Sequence, residues 1–208
     1  MAIESVRAET ELRPFHYAGF WPRLGSLLLD MVILSPLAAI TIWGNHHYRL
    51  SDVYAVVPQV LFGLWFSVYL VGRFGGTPGK LILGLRVVKV SGEPATFSVA
   101  FIRDLPGLVL DTLWRVGLVM TLLHMTDTEY FAIGPHKHYS AIEKMAPPWC
   151  HWVEIALQVW VWSELIVLLT NKKRRAIHDF IAGTVVIRKA ASNALQPPLQ
   201  PLAQSDGG

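Results

Sequence analysis

The sequence predicts an all-α membrane protein: a four-helix transmembrane bundle with a small cytoplasmic β-ribbon. Three observations carry that reading. Of 208 residues, 52% are hydrophobic and only 16% charged, where an ordinary soluble domain carries about 25% charged residues. The apolar residues gather into four stretches close to the ~20 residues that a helix needs to cross a bilayer core. The Lys and Arg residues, 18 in all, fall mostly in the loops on one side of those stretches. The net charge of +3 and pI near 9.1 are therefore topological in origin, and a nucleic-acid partner is excluded. The single cysteine, Cys150, leaves no intrachain disulfide, and no CxxC or Cys/His finger spacing suggests a zinc fold.

Residues 1–19 form a cytoplasmic N-terminal segment containing Glu4, Arg7, Glu9, Glu11 and Arg13, unlike the basic, acid-free start of a secretory signal. The apolar run after it lacks a small-residue cleavage site and contains Asp30, so it is read as a retained helix. The transmembrane domain, residues 20–190, has its first apolar segment from about Leu24 to Trp43, a polar loop from Gly44 to Asp52 and a second segment from Val53 to Val71. In the connection 72–97, glycines, two prolines and four basic residues interrupt the membrane pattern. The third segment spans Ser98 to Leu122, a histidine-rich loop runs from His124 to Pro148, and the fourth segment spans Trp149 to Thr170. GLRVVKV in the middle connection and GTVVIRK near the C-terminus are β-branched runs, each opened by glycine, and are expected to pair as a ribbon. Residues 191–208 are a Pro/Gln-rich tail expected to be disordered. A rival count of three spans follows if the third segment, weakened by Pro106 and its charges, lies partly in the interface.

Orientation follows from the basic residues. Arg7, Arg13 and Arg23, the four in the middle connection, and Lys172, Lys173, Arg174, Arg175, Arg188 and Lys189 lie on one side. Arg49, Lys137 and Lys144 lie on the other. Thirteen against three places both termini in the cytoplasm. Trp21 at one boundary and Trp43, Trp149 and Trp152 at the other agree as interfacial anchors.

An ionisable side chain in a spanning helix is costly and normally has a partner inside the bundle. Asp30, seven residues past Arg23, lies about 10 Å deep, and Arg103, five past Ser98, about 8 Å deep. The matched depths predict an Asp30–Arg103 pair across helices. Asp104, Asp111 and Arg115 share one helical stripe, with Asp111 and Arg115 at i,i+4 spacing for a local ion pair. Glu154 sits near the outer boundary and is expected to be solvated; Glu164 is deep, with no basic neighbour on its own helix. These charges either lock the helices in register or line an ion pathway.

GFWPRLGSLLLD, then GGTPGKLILGLRVVKVSGEPATFSVAFIRDL, then NKKRRAIHDFIAGTVVI, in that order over residues 14–188, resemble the RDD family of membrane proteins. The resemblance implies that Arg23 is the family's arginine, Asp30 its first aspartate and Asp179 its second, with Asp104 the alternative for the second. It further implies a transport-related role, since some such proteins are thought to exchange sodium for protons. GGTPGK lacks the GxxxxGK[ST] spacing of a phosphate loop. It is read as a tight turn at the membrane surface, with Lys80 near lipid headgroups. Asp179 is expected to hold the tail by capping or by pairing with Arg23 or Lys80.

Six of the eight histidines, His46, His47, His124, His136, His138 and His151, fall in or beside the outer loops. His136 and His138 form an HxH pair whose rings share one side of an extended segment, a spacing that can chelate zinc or copper, with Cys150 and Met125 as soft additions. The competing reading is a polar loop without a metal. No nucleophile, base and orienter set is present, so neither an enzyme nor a cofactor is expected. Two functional classes stay open. One is a small cation/proton or solute transporter using Asp30, Asp104, Asp111 and Glu164; the other is a non-transporting scaffold or accessory subunit with structural ion pairs. The expected partners are the lipid bilayer and a homo-oligomer or membrane partner protein.

Overall fold

The computed structural model describes residues 16–133, 138–170 and 175–188, without the side chains of residues 138, 139, 164, 165 and 168. Helix α1, Phe20–His47, is continuous through Pro36. The helix α2 starts at Ser51–Leu64, passes through a π-helical turn at Trp65–Tyr69 and ends as α-helix at Leu70–Phe74. A short helix α3, Pro78–Ile82, starts with proline at its first position, where a missing N–H costs nothing. Strand β1 is Leu85–Lys89. Helix α4, Phe97–His124, is capped by the Thr96 hydroxyl on the Val99 N–H and runs unbroken through Pro106, so the third segment is not split.

On the far side, α5, Asp127–Ala132, is closed by a capping box between Thr126 and Glu129. Helix α6 is His138–Met145 and α7 is Pro148–Thr170. The chain then forms α8, Ile177–Ile181, and β2, Thr184–Arg188.

The ribbon expected from the two β-branched runs forms. β1 and β2 pair antiparallel with Leu85 opposite Arg188, Val87 opposite Val186 and Lys89 opposite Thr184. Period-2 alternation gives it two apolar faces. Leu85, Val87 and Val186 pack with Ala18, Val71, Ala95 and Ala100 against the helices, while Val88, Val185 and Ile187 pack with Tyr17. The N-terminal residues add a third edge, with Ala18 N–H donating to Val186 O at 2.8 Å and Arg188 N–H to His16 O at 3.2 Å. The chain therefore enters α1 and leaves β2 at the same end of the bundle.

Three stretches, Phe20–His47, Ser51–Ile82 and Phe97–His124, are long and apolar enough to cross a membrane. The four-helix expectation is met only to that extent; α7 is a fourth long helix, of 23 residues, packed along α4. Its contact depends on a small residue, since a Cβ at Gly117 would overlap Cys150 Sγ. The outward surface is apolar over a large area, with Leu28, Met31, Val32, Ile40 and Ile42 of α1 all exposed, as lipid contact requires.

Candidate functional site

At the ribbon end of the bundle a buried carboxylate gathers cations from three elements. Asp179, on α8, is fully buried and accepts from Arg23 Nη1 of α1 at 2.7 Å and from Arg103 Nε of α4 at 3.0 Å. Thr184 Oγ1 donates to it at 3.1 Å and the Ala176 N–H at 3.2 Å, the latter capping α8. Arg23 and Arg103 are themselves nearly buried, 11% and 13% exposed. Burial pushes the Asp179 carboxyl up, but the charges of Arg103, His178 and Arg23 together outweigh it and hold the group well below the usual carboxylate range. Arg175 completes the cluster, donating to the carbonyls of Asp179 and Thr184 while its guanidinium lies 4.2 Å over the Phe180 ring.

Asp30 does not pair with Arg103. It lies buried on α1, where Thr77 Oγ1 donates to Oδ2 at 2.6 Å and the Gly79 N–H donates to Oδ1 at 2.7 Å. The depth arithmetic sets height along a helix but not direction around it. Here α3 folds back onto α1, while Asp179, arriving with the tail, takes Arg103. The close approach requires glycine: a Cβ at Gly79 would overlap Ser26 O and come within 2.9 Å of Asp30 Cγ. Lys80 also departs from its expected place. It is half-buried and donates to Thr77 Oγ1 at 3.1 Å, so the GGTPGK segment turns inward instead of lying on the surface.

Further along α4, Ser67 Oγ of the π-helical turn lies 2.6 Å from Asp104 Oδ2 and 2.8 Å from Gly63 O. Asp111 and Arg115 form the expected i,i+4 pair at 2.6 Å, and Arg115 also donates to Gln59 Oε1. This pair sits at mid-helix yet is 46% and 30% exposed. Glu154 is half-buried beside a shallow cavity that Glu143 and His151 also line. The side chain of Glu164 lies outside the described residues, as does His136. His138 opens helix α6, but its side chain is likewise outside, so the HxH pair lies outside the described residues. Among the described residues no three His, Cys, Asp or Glu side chains are arranged to hold a metal ion.

Above the Asp179 cluster lies a cavity of about 640 Å³. Its polar lining comes from Arg23, Ser67, Thr77, Lys80, Arg103, Asp104 and His178. Leu24 and Leu27 of α1 and Trp160, Val161 and Trp162 of α7 form its apolar walls. Helix α1 packs on α2 and α3, and α7 packs on α4 and α8; among the described residues, α1 and α7 flank the cavity without packing closely on each other.

A helical membrane protein in which a C-terminal strand and a buried aspartate bind the first and third long helices together is the class defined by this geometry. The chain belongs to the RDD family, whose model matches residues 17–183. It is 30% identical over 129 residues to an uncharacterized membrane protein, YteJ, of Bacillus subtilis (strain 168), covering 54% of this chain and 74% of that protein. It is 31% identical over 113 residues to an uncharacterized protein, YckC, of the same organism, covering 51% and 70%. No solved structure matches. Of the residues that the resemblance assigns to the family's arginine and aspartates, Arg23 and Asp179 are in direct contact, and Asp30 holds α3 beside them.

Ser67, Thr77, Gly79 and Thr184 belong to the site and were not expected from the sequence. Each acts through a neutral hydroxyl or a backbone N–H, and such groups carry no charge anomaly that would mark them in an apolar stretch. The π-helical turn that places Ser67 leaves no periodicity signal over only five residues.

Proposed function

We propose that this RDD protein is a small proton-coupled solute carrier, with the cavity between α1, α2, α4 and α7 as its ligand site. Asp104 is the acid whose charge state changes during the cycle. One observation carries this reading. Asp30 is held by two donors and Asp179 by four in structural roles, whereas Asp104 lines the cavity and, among the described residues, its hydrogen-bond partner is the single hydroxyl of Ser67. A carboxyl held by a neutral hydroxyl exchanges a proton without breaking an ion pair, and Ser67 can donate to the ionised form or accept from the protonated one. The Gly63 carbonyl, 2.8 Å from Ser67 Oγ, takes the hydroxyl proton in the second case.

The protein sits in a bacterial inner membrane with four spans and both termini cytoplasmic. The thirteen-to-three basic asymmetry and the pairing of residues 16–18 with β2 support this placement. Reporter fusions after Asp52 and Lys144 should read as external and one after Lys89 as internal. A homo-oligomer covers the half-exposed Asp111–Arg115 pair, because an ion pair at mid-depth facing acyl chains is costly.

The carrier reading is tested by proton flux into proteoliposomes of bacterial lipid extract under an imposed gradient. Asp104→Asn keeps an acceptor for Ser67 and removes the titratable group. Wild-type flux should exceed that of the variant by at least about tenfold, while both melt at similar temperatures. Equal flux from the two proteins, or none from wild type, removes the reading.

A further inference from the structure

We propose that the cavity binds the phosphate head of an anionic amphiphile drawn laterally from the adjacent leaflet, with its tail leaving between α1 and α7. This names the ligand class for the cavity and rests on the reading of that cavity as a ligand site.

Charge distribution supports the anionic head. Arg23, Lys80 and Arg103 line the cavity, whereas the carboxylates that balance them, Asp30 and Asp179, are 6% and 0% exposed behind that lining. Among the described residues no carboxylate lies within ion-pair distance of Lys80. An ammonium has three N–H donors, and the hydrogen bond made by Lys80 goes to a neutral hydroxyl, that of Thr77. Arg and Lys donors converging in a partly desolvated site suit phosphate oxygens, and basic pockets between membrane helices are where anionic lipid heads bind. Among the described residues, Asp104 is the one carboxylate in the lining. Protonating it removes the negative charge that a phosphate would meet, which couples ligand binding to proton uptake.

The walls support the tail. Leu27, Val161 and Trp162 line the cavity yet are 50%, 60% and 58% exposed, so its apolar walls are continuous with the lipid-facing surface of α1 and α7. A soluble phosphate ester gains nothing from those walls. A volume of about 640 Å³ accommodates a glycerophosphate head but not two acyl chains, and the gap between α1 and α7 gives the chains a route out.

Binding to the purified full chain in a neutral detergent, read by native mass spectrometry, tests this apart from flux. Phosphatidylglycerol should be retained at least about tenfold better than phosphatidylcholine, and millimolar glycerol 3-phosphate should not displace it. Lys80→Gln should lower phosphatidylglycerol retention about fivefold to tenfold, and Lys80→Arg should restore it. Leu27→Trp, at an exposed position that tolerates bulk, should weaken lipid retention by narrowing the lateral gap. Equal retention of both lipids, or no effect of Lys80→Gln in a protein that melts normally, overturns the proposal. Displacement by glycerol 3-phosphate overturns it in favour of a soluble phosphate ester. Lipid retention without proton flux upholds the site and removes the carrier reading; flux without selective retention does the reverse.

Discussion

Replacing Asp179 with Asn preserves the shape of the side chain and removes the charge that holds Arg23 and Arg103 together. The amide keeps one acceptor oxygen, so at least one of the two arginines, at 2.7 and 3.0 Å in the native protein, faces an N–H₂ group in place of a carboxylate oxygen. With both guanidinia nearly buried, water compensates poorly, and the loss is that of breaking a buried pair, about 3 to 5 kcal/mol. At ~1.4 kcal/mol per factor of ten, that corresponds to roughly two to three and a half decades in the docking equilibrium of the tail. Because α8 and β2 carry the affected contacts, the loss should be local. Hydrogen exchange of purified protein should show the amides of Val185, Val186 and Ile187 losing at least about 100-fold of their protection, while those in the middle of α4 keep theirs. A change of less than about threefold in the ribbon, or an equal loss along α4, would refute the view that Asp179 is the local clasp of the tail.

Acid should act on the same clasp. The folded-state pKa of Asp179 is depressed, so in acid the undocked form takes up the proton first, and the contribution of this carboxylate is present above the ordinary aspartate pKa of about 4 and lost as pH falls below it. Ribbon protection should thus be flat with respect to this group from pH 7 to about pH 5 and decline below about pH 4; a decline that begins near pH 6 would assign the effect to another group. The charge swap Asp30→Arg with Arg103→Asp should melt no higher than either single variant, because the native residues bind different partners; recovery of stability in the double variant would restore the direct pair. Gly79→Ala should cost about 1 to 3 kcal/mol through overlap with Ser26 O and displacement from Asp30, read as a lowered melting temperature in detergent, and an unchanged melting temperature would show that α3 does not need its close approach to α1.

The long apolar helices were legible because bilayer thickness imposes a length and a composition that few other structures share. The ribbon was legible for a different reason: two short β-branched runs, each opened by glycine and set outside the long apolar stretches, favour strands that pair with each other. The Asp111–Arg115 pair followed from helical spacing alone. What failed was partner assignment across elements. Asp30 and Arg103 were read at similar depth, but depth leaves the rotation of each helix free, and the position of Asp179 depends on how a segment more than 70 residues further along folds back. Whether Asp179 met Arg23 or Lys80 stayed open in the sequence for the same reason. Thr77 and Gly79 show a second limit: an acceptor in an apolar helix announces itself, whereas the hydroxyl or N–H that satisfies it does not.

The separation in sequence between Arg23, Arg103 and Asp179 has a consequence for biosynthesis. Chains emerge N-terminus first at about 5–20 residues per second, so Arg103 leaves the ribosome several seconds before Asp179, and Arg23 earlier still. Until then both arginines lack the carboxylate that they share. The helices can be inserted while the clasp is still being made, so insertion and closure are separate events, and a chain interrupted before α8 would lack the carboxylate that binds both arginines. Closing the ribbon is therefore the step that distinguishes a finished protein from an inserted one.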